Sequence, residues 1–293
     1  MDDLASARRI WAQLELYHGV TYFGREGRAV TDELGCKGGW MGYFGTRAAP
    51  LGAASPELVT AVFYNFHPAR VARAVPDTWR IAAPERYLAA RLDGVDRALR
   101  RILGDDVVAG DAVAEAAELA VAAAGLVPLA GRPLGAANAA LPWSDQPHLA
   151  LWQATTVVRE ARGDGHFAAL SAALLDGCET LVVFASDHGV DADYMRQARG
   201  WSTEEWAAAT DRLVDRGLLT EAGGLTDAGR ELRAWVELRT DEAAVAPWTA
   251  LGADRATRLG ELLDPLLRDL VGDNRAVLDN PMLPDVATVF AER

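Results

Sequence analysis

Residues 201–238 read WSTEEWAAATDRLVDRGLLTEAGGLTDAGRELRAWVEL. Ser202-Thr203-Glu204-Glu205 has the capping-box pattern, in which a hydroxyl meets the third amide of a helix and a glutamate reaches back. The helix it opens runs to Arg216. Gly217-Leu218-Leu219-Thr220 and Gly223-Gly224-Leu225-Thr226 then flank a turn, the pattern of a short β-hairpin. Thr226-Asp227 caps a longer helix that continues through Ala246. The same order is written earlier in the chain. Val95-Asp96-Arg97-Ala98-Leu99 anticipates Val214-Asp215-Arg216-Gly217-Leu218, and Glu85…Tyr87 anticipates Glu204…Trp206. Gly42-Tyr43-Phe44 likewise anticipates Gly165-His166-Phe167, and Val62-Phe63…His67 anticipates Val183-Phe184…His188. The offset drifts from 123 to 121 to 119 residues, as small loop deletions in a duplicated unit produce.

Residues 201–238 resemble the second half of a MarR-type winged helix. In that family a recognition helix ends in a motif like Leu213-Val214-Asp215-Arg216-Gly217-Leu218-Leu219. A two-stranded wing follows, and a motif like Leu225-Thr226-Asp227-Ala228-Gly229-Arg230 opens the dimerisation helix. The whole chain also resembles an actinobacterial family of tandem winged-helix-like proteins. Tyr17-His18…Tyr22-Phe23, Gly42-Tyr43-Phe44…Arg47-Ala48-Ala49-Pro50-Leu51-Gly52 and Phe63-Tyr64-Asn65-Phe66-His67-Pro68 carry that likeness, with Gly131-Arg132-Pro133-Leu134, Arg159-Glu160…Arg162-Gly163-Asp164-Gly165-His166 and Asn280-Pro281-Met282. The implied fold class is mainly α: two winged-helix-like repeats forming an intrachain pseudo-dimer, with a small β-wing in the second. The first repeat spans 1–135, its wing reduced to Gly104-Asp105-Asp106. The second spans 136–293 and keeps the wing, the dimerisation-type helices and an irregular tail beyond Asn274.

The remaining helical signals fit that plan. Leu4–Phe23 is amphipathic, Ser55-Pro56-Glu57 opens a helix through Phe66, and Pro84-Glu85 opens another to Leu103. Asp111 caps an Ala-rich helix to Gly125, and a further helix covers about Asp254–Val271. Arg25–Lys37 reads as a loop and Pro128–Pro147 as the connector. Helix Leu149–Ala161 is expected to break at Gly163-Asp164-Gly165. The 293 residues are half apolar and carry a net charge of −13, so the average surface repels phosphate backbones and anionic membranes. Cys36 and Cys178 lack C-x-x-C spacing, and neither a signal-peptide pattern nor a bilayer-length apolar run occurs. The expectation is a soluble cytoplasmic protein, monomer or homodimer.

A winged helix reads DNA with its recognition helix and a basic wing. From Ser202 to Glu231 three arginines face seven acids, a net −4, and the wing Glu221-Ala222-Gly223-Gly224 has no arginine. Arg86, Arg91, Arg97, Arg100 and Arg101 of the first repeat read as a helix face paired with neighbouring acids. Nucleic acid is therefore not the expected partner; a small organic ligand or substrate is, held between the repeats where MarR-type dimers, by resemblance, hold effectors. His18 and Tyr22 share a helix face, Tyr43 and Arg47 share another, and the repeat sets His166 opposite Tyr43. These five form the expected acid–base group, an imidazole beside a phenol and a guanidinium. Trp40, Tyr64, Asn65, Trp152, Thr156 and Arg159 complete the ligand-binding set. His67 and His188 read as partners of helix C-termini. Removing His18 or Arg47 is expected to abolish binding with little change in melting temperature. No metal-ligand spacing, G-x-G-x-x-G, P-loop or G-x-S-x-G frame is present, so no cofactor or metal is expected. The function expected is small-molecule binding or cofactor-independent acid–base catalysis of lyase, cyclase or hydrolase type. The alternative is a ligand-responsive MarR-like transcriptional regulator.

Overall fold

The computed structural model describes residues 3–273, so the tail expected beyond Asn274 lies outside the described residues. Helices α1 (Asp3–His18) and α2 (Val20–Phe23) realise the amphipathic first segment, parted only at Gly19. The stretch read as a loop is instead α3 (Arg25–Glu33), whose Val30 is buried and whose Glu26 pairs with Arg101 at 2.5 Å. Its polar sequence conceals one apolar edge, and tertiary contact with the helix Pro84–Leu103 supplies what local propensity lacks. Next come α4 (Gly39–Ala48) with a 3-10 turn at Ala49–Leu51, α5 (Pro56–Phe63), α6 (Pro68–Ala72) and α7 (Val75–Ile81). The first half closes with α8 (Pro84–Leu103), α9 (Asp105–Val108) and α10 (Asp111–Ala124).

The expected connector carries α11 (Pro133–Ala139), and α12 (Pro147–Ala172) runs 26 residues without a break. Gly163 and Gly165 each cost about 1 kcal/mol in a helix interior. Tertiary packing outweighs them, because α12 packs against α1, α8, α10, α11 and the helix over 227–244. A fully buried Trp152 or Leu151 contributes roughly 1.5–3 kcal/mol each. The second half follows as α13 (Gly177–His188), α14 (Ala192–Arg199), α15 (Thr203–Asp215), α16 (Asp227–Ala244), α17 (Ala246–Leu251) and α18 (Ala253–Asp273). None of the helices described is long and apolar enough to cross a membrane.

No β-strand forms among the described residues. The expected wing is a tight turn in which Leu219 and Leu225 make one antiparallel bridge and Thr220 N donates to Gly224 O at 2.8 Å. The reason is local: Leu218 and Leu219 are buried in the core beneath, and Thr226 already caps α16, leaving too few residues to extend a ladder. Three apolar cores result. The largest joins α1, the second half of α8, α10, the first half of α12, α17 and α18. One smaller core joins α4–α7 to Tyr87 of α8 and Leu134 of α11, and the other joins the end of α12 to α13, α15 and α16.

Close packing of α11 on α12 has a testable cost. A Cβ on Gly135 would lie 2.7 Å from Ala161 Cβ and 2.8 Å from its Cα. Backbone of a buried helix cannot yield cheaply, so Gly135→Ala is expected to destabilise by about 1–3 kcal/mol in urea denaturation. An unchanged midpoint would contradict this packing.

Candidate functional site

Four of the five expected acid–base residues come together. His18 closes α1, Tyr22 lies on α2, and Tyr43 and Arg47 stand one turn apart on α4. The His18 ring stacks on Trp152 of α12 at 5.9 Å between centroids. It meets Tyr22 edge-on at 5.3 Å, and Tyr22 meets Tyr43 at 5.2 Å. Trp40 continues the ladder, 5.7 Å from Tyr43. Along it burial falls from His18, 1% exposed, to the partly exposed rings of Tyr22, Tyr43 and Trp40.

Hydrogen bonds assign the His18 tautomer. Thr156 Oγ1 lies 3.0 Å from His18 Nδ1 and donates to the Trp152 carbonyl at 2.9 Å. A hydroxyl has one proton, and in a helix it goes to the carbonyl one turn back. Nδ1 therefore carries the imidazole proton and Nε2 is a bare lone pair, with no hydrogen-bond partner. Burial, reinforced by Arg159, holds the imidazole well below its ordinary range, so it is neutral. Trp152 itself is fixed by donating Nε1–H to Thr21 Oγ1 at 2.8 Å. Burial also pushes the Tyr22 phenol up, and Glu160 pushes it further.

Behind the rings lies an ion network in which two expected site residues, Arg47 and Arg159, meet two that were not expected there, Glu160 and Glu15. Glu160 of α12 accepts from Arg47 Nε at 3.0 Å and Nη2 at 2.9 Å, and from Arg159 Nη1 at 2.8 Å. Arg159 Nε also donates to both oxygens of Glu15, at 3.2 and 3.1 Å. Burial alone would raise the Glu160 carboxyl, but Arg47 and Arg159 hold it well below the usual carboxylate range. Arg47 additionally donates to the Tyr43 hydroxyl at 2.8 Å and lies over the Phe63 ring. Arg47 is thus a structural partner as well as a site cation. Its removal strands a buried carboxylate, which corrects the expectation that Arg47→Ala leaves stability unchanged. Arg91 was also missed as a site residue, although its spacing from Leu88 and Val95 puts a charge on the apolar face of α8.

His166 does not join this group. It lies on α12 ten residues beyond Thr156, about 15 Å along the axis, and bonds Thr240 Oγ1 at 2.9 Å. Burial pushes its imidazole down to about 4 there. The continuous α12 is the physical reason: without the expected break at Gly163, the helix carries His166 away from His18. Tyr64 and Asn65 also serve elsewhere. Tyr64 stacks on Phe167 at 5.2 Å and donates to the Leu175 carbonyl. The Asn65 carbonyl accepts from Trp201 Nε1 at 3.0 Å. Arg162 pairs with Asp241 at 3.0 Å.

The Asn65–Trp201 contact belongs to a second surface. Helices α14 and α15 are joined by a turn through Gly200 at φ 87°, and the resemblance to MarR-type winged helices implies that base edges would be read at the N-terminus of α15. Residues 65–70 bond one side of that end, while Thr203 and Glu204 stay exposed. His67 Nε2 meets Glu205 Oε1 at 2.8 Å, His67 N donates to Arg199 O at 2.9 Å, and Arg70 donates to Gln197 O at 2.8 Å. His67 is the N-cap of α6, accepting from Ala69 N, rather than a partner of a helix C-terminus, because Pro68 restarts a helix at once. His188 does close its helix, with Nδ1 3.2 Å from the Phe184 carbonyl. The exposed face of α15 presents Glu204, Asp211 and Asp215. Arg212 bonds Glu179 and Asp176, Arg216 bonds the Leu174 and Ala173 carbonyls, and Arg230 bonds Asp227. On α8, Arg97 and Arg100 pair with Asp93 and Asp96 as expected.

The fold thus defines a helix-turn-helix protein. Residues 7–277 match a helix-turn-helix family, and the chain belongs to it. No curated protein and no solved structure gives a significant match.

Glu160→Gln leaves Arg47 and Arg159 buried without their shared counter-charge. Urea denaturation is expected to show a loss of about 3–5 kcal/mol. A loss within ~0.5 kcal/mol would show that the network is not buried as described.

Proposed function

We propose that this helix-turn-helix protein holds a small organic molecule instead of reading DNA, with acid–base chemistry supplied around His18. The observation that carries the proposal is the His18 imidazole, wholly buried with Nε2 bare. Buried polar atoms are almost always hydrogen-bonded, so a bare nitrogen among aromatic rings is an acceptor held for a ligand. A neutral imidazole is a base, and Arg47 and the Tyr43 hydroxyl supply a cation and a donor for charge that develops. No cofactor enters this chemistry, whose class is lyase, cyclase or hydrolase.

The chain's MarR-like ancestry is part of the same proposal. Helix starts at Pro56, Pro84 and Asp111 are answered at Gly177, Thr203 and Asp227, separations of 121, 119 and 116 residues. Two lobes flanking one shared core are what a fused pseudo-dimer gives. The lobes then diverged: the first lobe bonds Glu205 at the start of the second lobe's recognition helix, and Arg212, Arg216 and Arg230 are tied up in intramolecular pairs. The competing reading, a ligand-responsive regulator, draws on the retained helix-turn-helix unit.

A gel-shift at physiological salt with duplexes from the gene's own upstream region separates the two. The expected result is no sequence-specific complex, while native mass spectrometry finds an organic molecule of defined mass on the protein. A tight, specific protein–duplex complex would overturn the proposal in favour of the regulator.

A further inference from the structure

Two guanidiniums on the border between the first lobe and α14 have no counter-ion. Arg199 ends α14, and its side chain makes no hydrogen bond or ion pair among the described residues; its Nε is buried without a partner. It lies over the Phe66 ring at 4.8 Å. Arg70 of α6 donates only to the Gln197 carbonyl, at 2.8 Å, and its Nε is likewise buried and bare. It lies over Trp40 at 5.1 Å. Trp40 and Phe66 meet at 5.4 Å, so the two cations flank one aromatic pair. Burial disfavours the charge on both, with Arg47 and Arg70 adding to this at Arg199 and Arg73 at Arg70. Glu205, the carboxylate of this junction, is already taken. It caps α15 and accepts from His67, whose Nδ1 accepts from Ala69 N and whose proton is therefore on Nε2.

Both cations lean on one helix end. Arg199 stands in the last turn of α14 and Arg70 bonds a carbonyl there, yet a helix C-terminus supplies only about half a negative charge. More than one positive charge is left over, in a protein whose net charge is −13. We propose that this junction binds a phosphoryl dianion, either free phosphate or the phosphate of a small ester, between Arg70 and Arg199. Such a group carries about −1.5 to −2 charge at pH 7 and three acceptor oxygens. Its charge matches the excess, and its tetrahedral oxygens can meet guanidiniums that arrive from two different helices. A carboxylate brings one charge and two oxygens in a single plane. No enclosed cavity is needed, because Arg70, Arg199 and Trp40 are each partly exposed and the anion approaches from solvent. The site is separate from His18 and stands whether or not that imidazole meets a ligand.

Calorimetric titration of the full chain with inorganic phosphate, phenyl phosphate and acetate, at constant ionic strength, tests this. One saturable phosphate site is expected, with acetate weaker by about tenfold or more. Tighter binding of phenyl phosphate than of phosphate identifies a small ester as the occupant, and equal affinity identifies the free ion. Arg199→Met and Arg70→Met are each expected to weaken phosphate by about tenfold, the loss of a charge-assisted hydrogen bond. Arg255→Met, which removes the same charge from an exposed position on α18, is expected to change nothing. If neither site variant folds, the unaltered protein decides. Millimolar phosphate, too dilute for general salt exclusion, is then expected to raise its melting temperature above that in chloride of equal ionic strength. Non-saturable binding, acetate binding as well as phosphate, an equal loss in Arg255→Met, or an unmoved melting temperature would overturn the proposal.

Discussion

Everything about this site depends on a carboxylate that α12 buries. Glu160 sits where the longest helix is enclosed, and a charge there persists only if cations reach it. Arg47 comes from α4 in the first lobe, Arg159 from α12 itself, and Glu15 extends the network to α1. Ion networks of this kind add little net stability over well-packed apolar groups. What this one does is fix which faces of three helices meet. Once α1 and α12 are held in register, His18 falls on Thr156 and its ring on Trp152. The bare Nε2 follows from the Glu160 constraint as much as from His18.

The same constraint shapes the helix-turn-helix surface. An unbroken α12 joins the central core to the core beneath α13 and α15. With both lobes packed against it, the segment around His67 lies on the turn before α15. In the function proposed above, a duplex reader needs free arginines beside that turn, and Arg212 and Arg216 are bonded to Glu179 and to the Leu174 carbonyl. The capping box at Ser202 also serves packing: Glu205 caps α15 and receives His67.

Much of this was legible in the sequence where one local signal dominates. Caps at Ser55, Ser202 and Thr226 set helix starts correctly because a side-chain hydroxyl within three residues decides them. The pairing of His18 with Tyr22, and of Tyr43 with Arg47, followed from helical spacing alone. Failures came where tertiary contact overrides local preference. Gly163 and Gly165 announce a break, yet packing against neighbouring helices keeps α12 continuous, and that continuity removed His166 from the site. Val30 gave too weak a period to reveal α3. Leu219 and Leu225 promised a hairpin and delivered one bridge. Glu160 and Arg91 were visible as charges among apolar residues, but only the fold shows that one is fully matched and the other is not.

The central claim is that His18 presents a bare, neutral Nε2 inside the protein. Long-range nitrogen–proton NMR correlation on 15N-histidine-labelled protein reads tautomer and charge for each ring. For His18 the account predicts a neutral ring protonated at Nδ1. Because burial lowers its folded pKa, that state should persist as pH falls well below the ordinary 6.5. The Nε2–H tautomer, or an imidazolium at neutral pH, would contradict it.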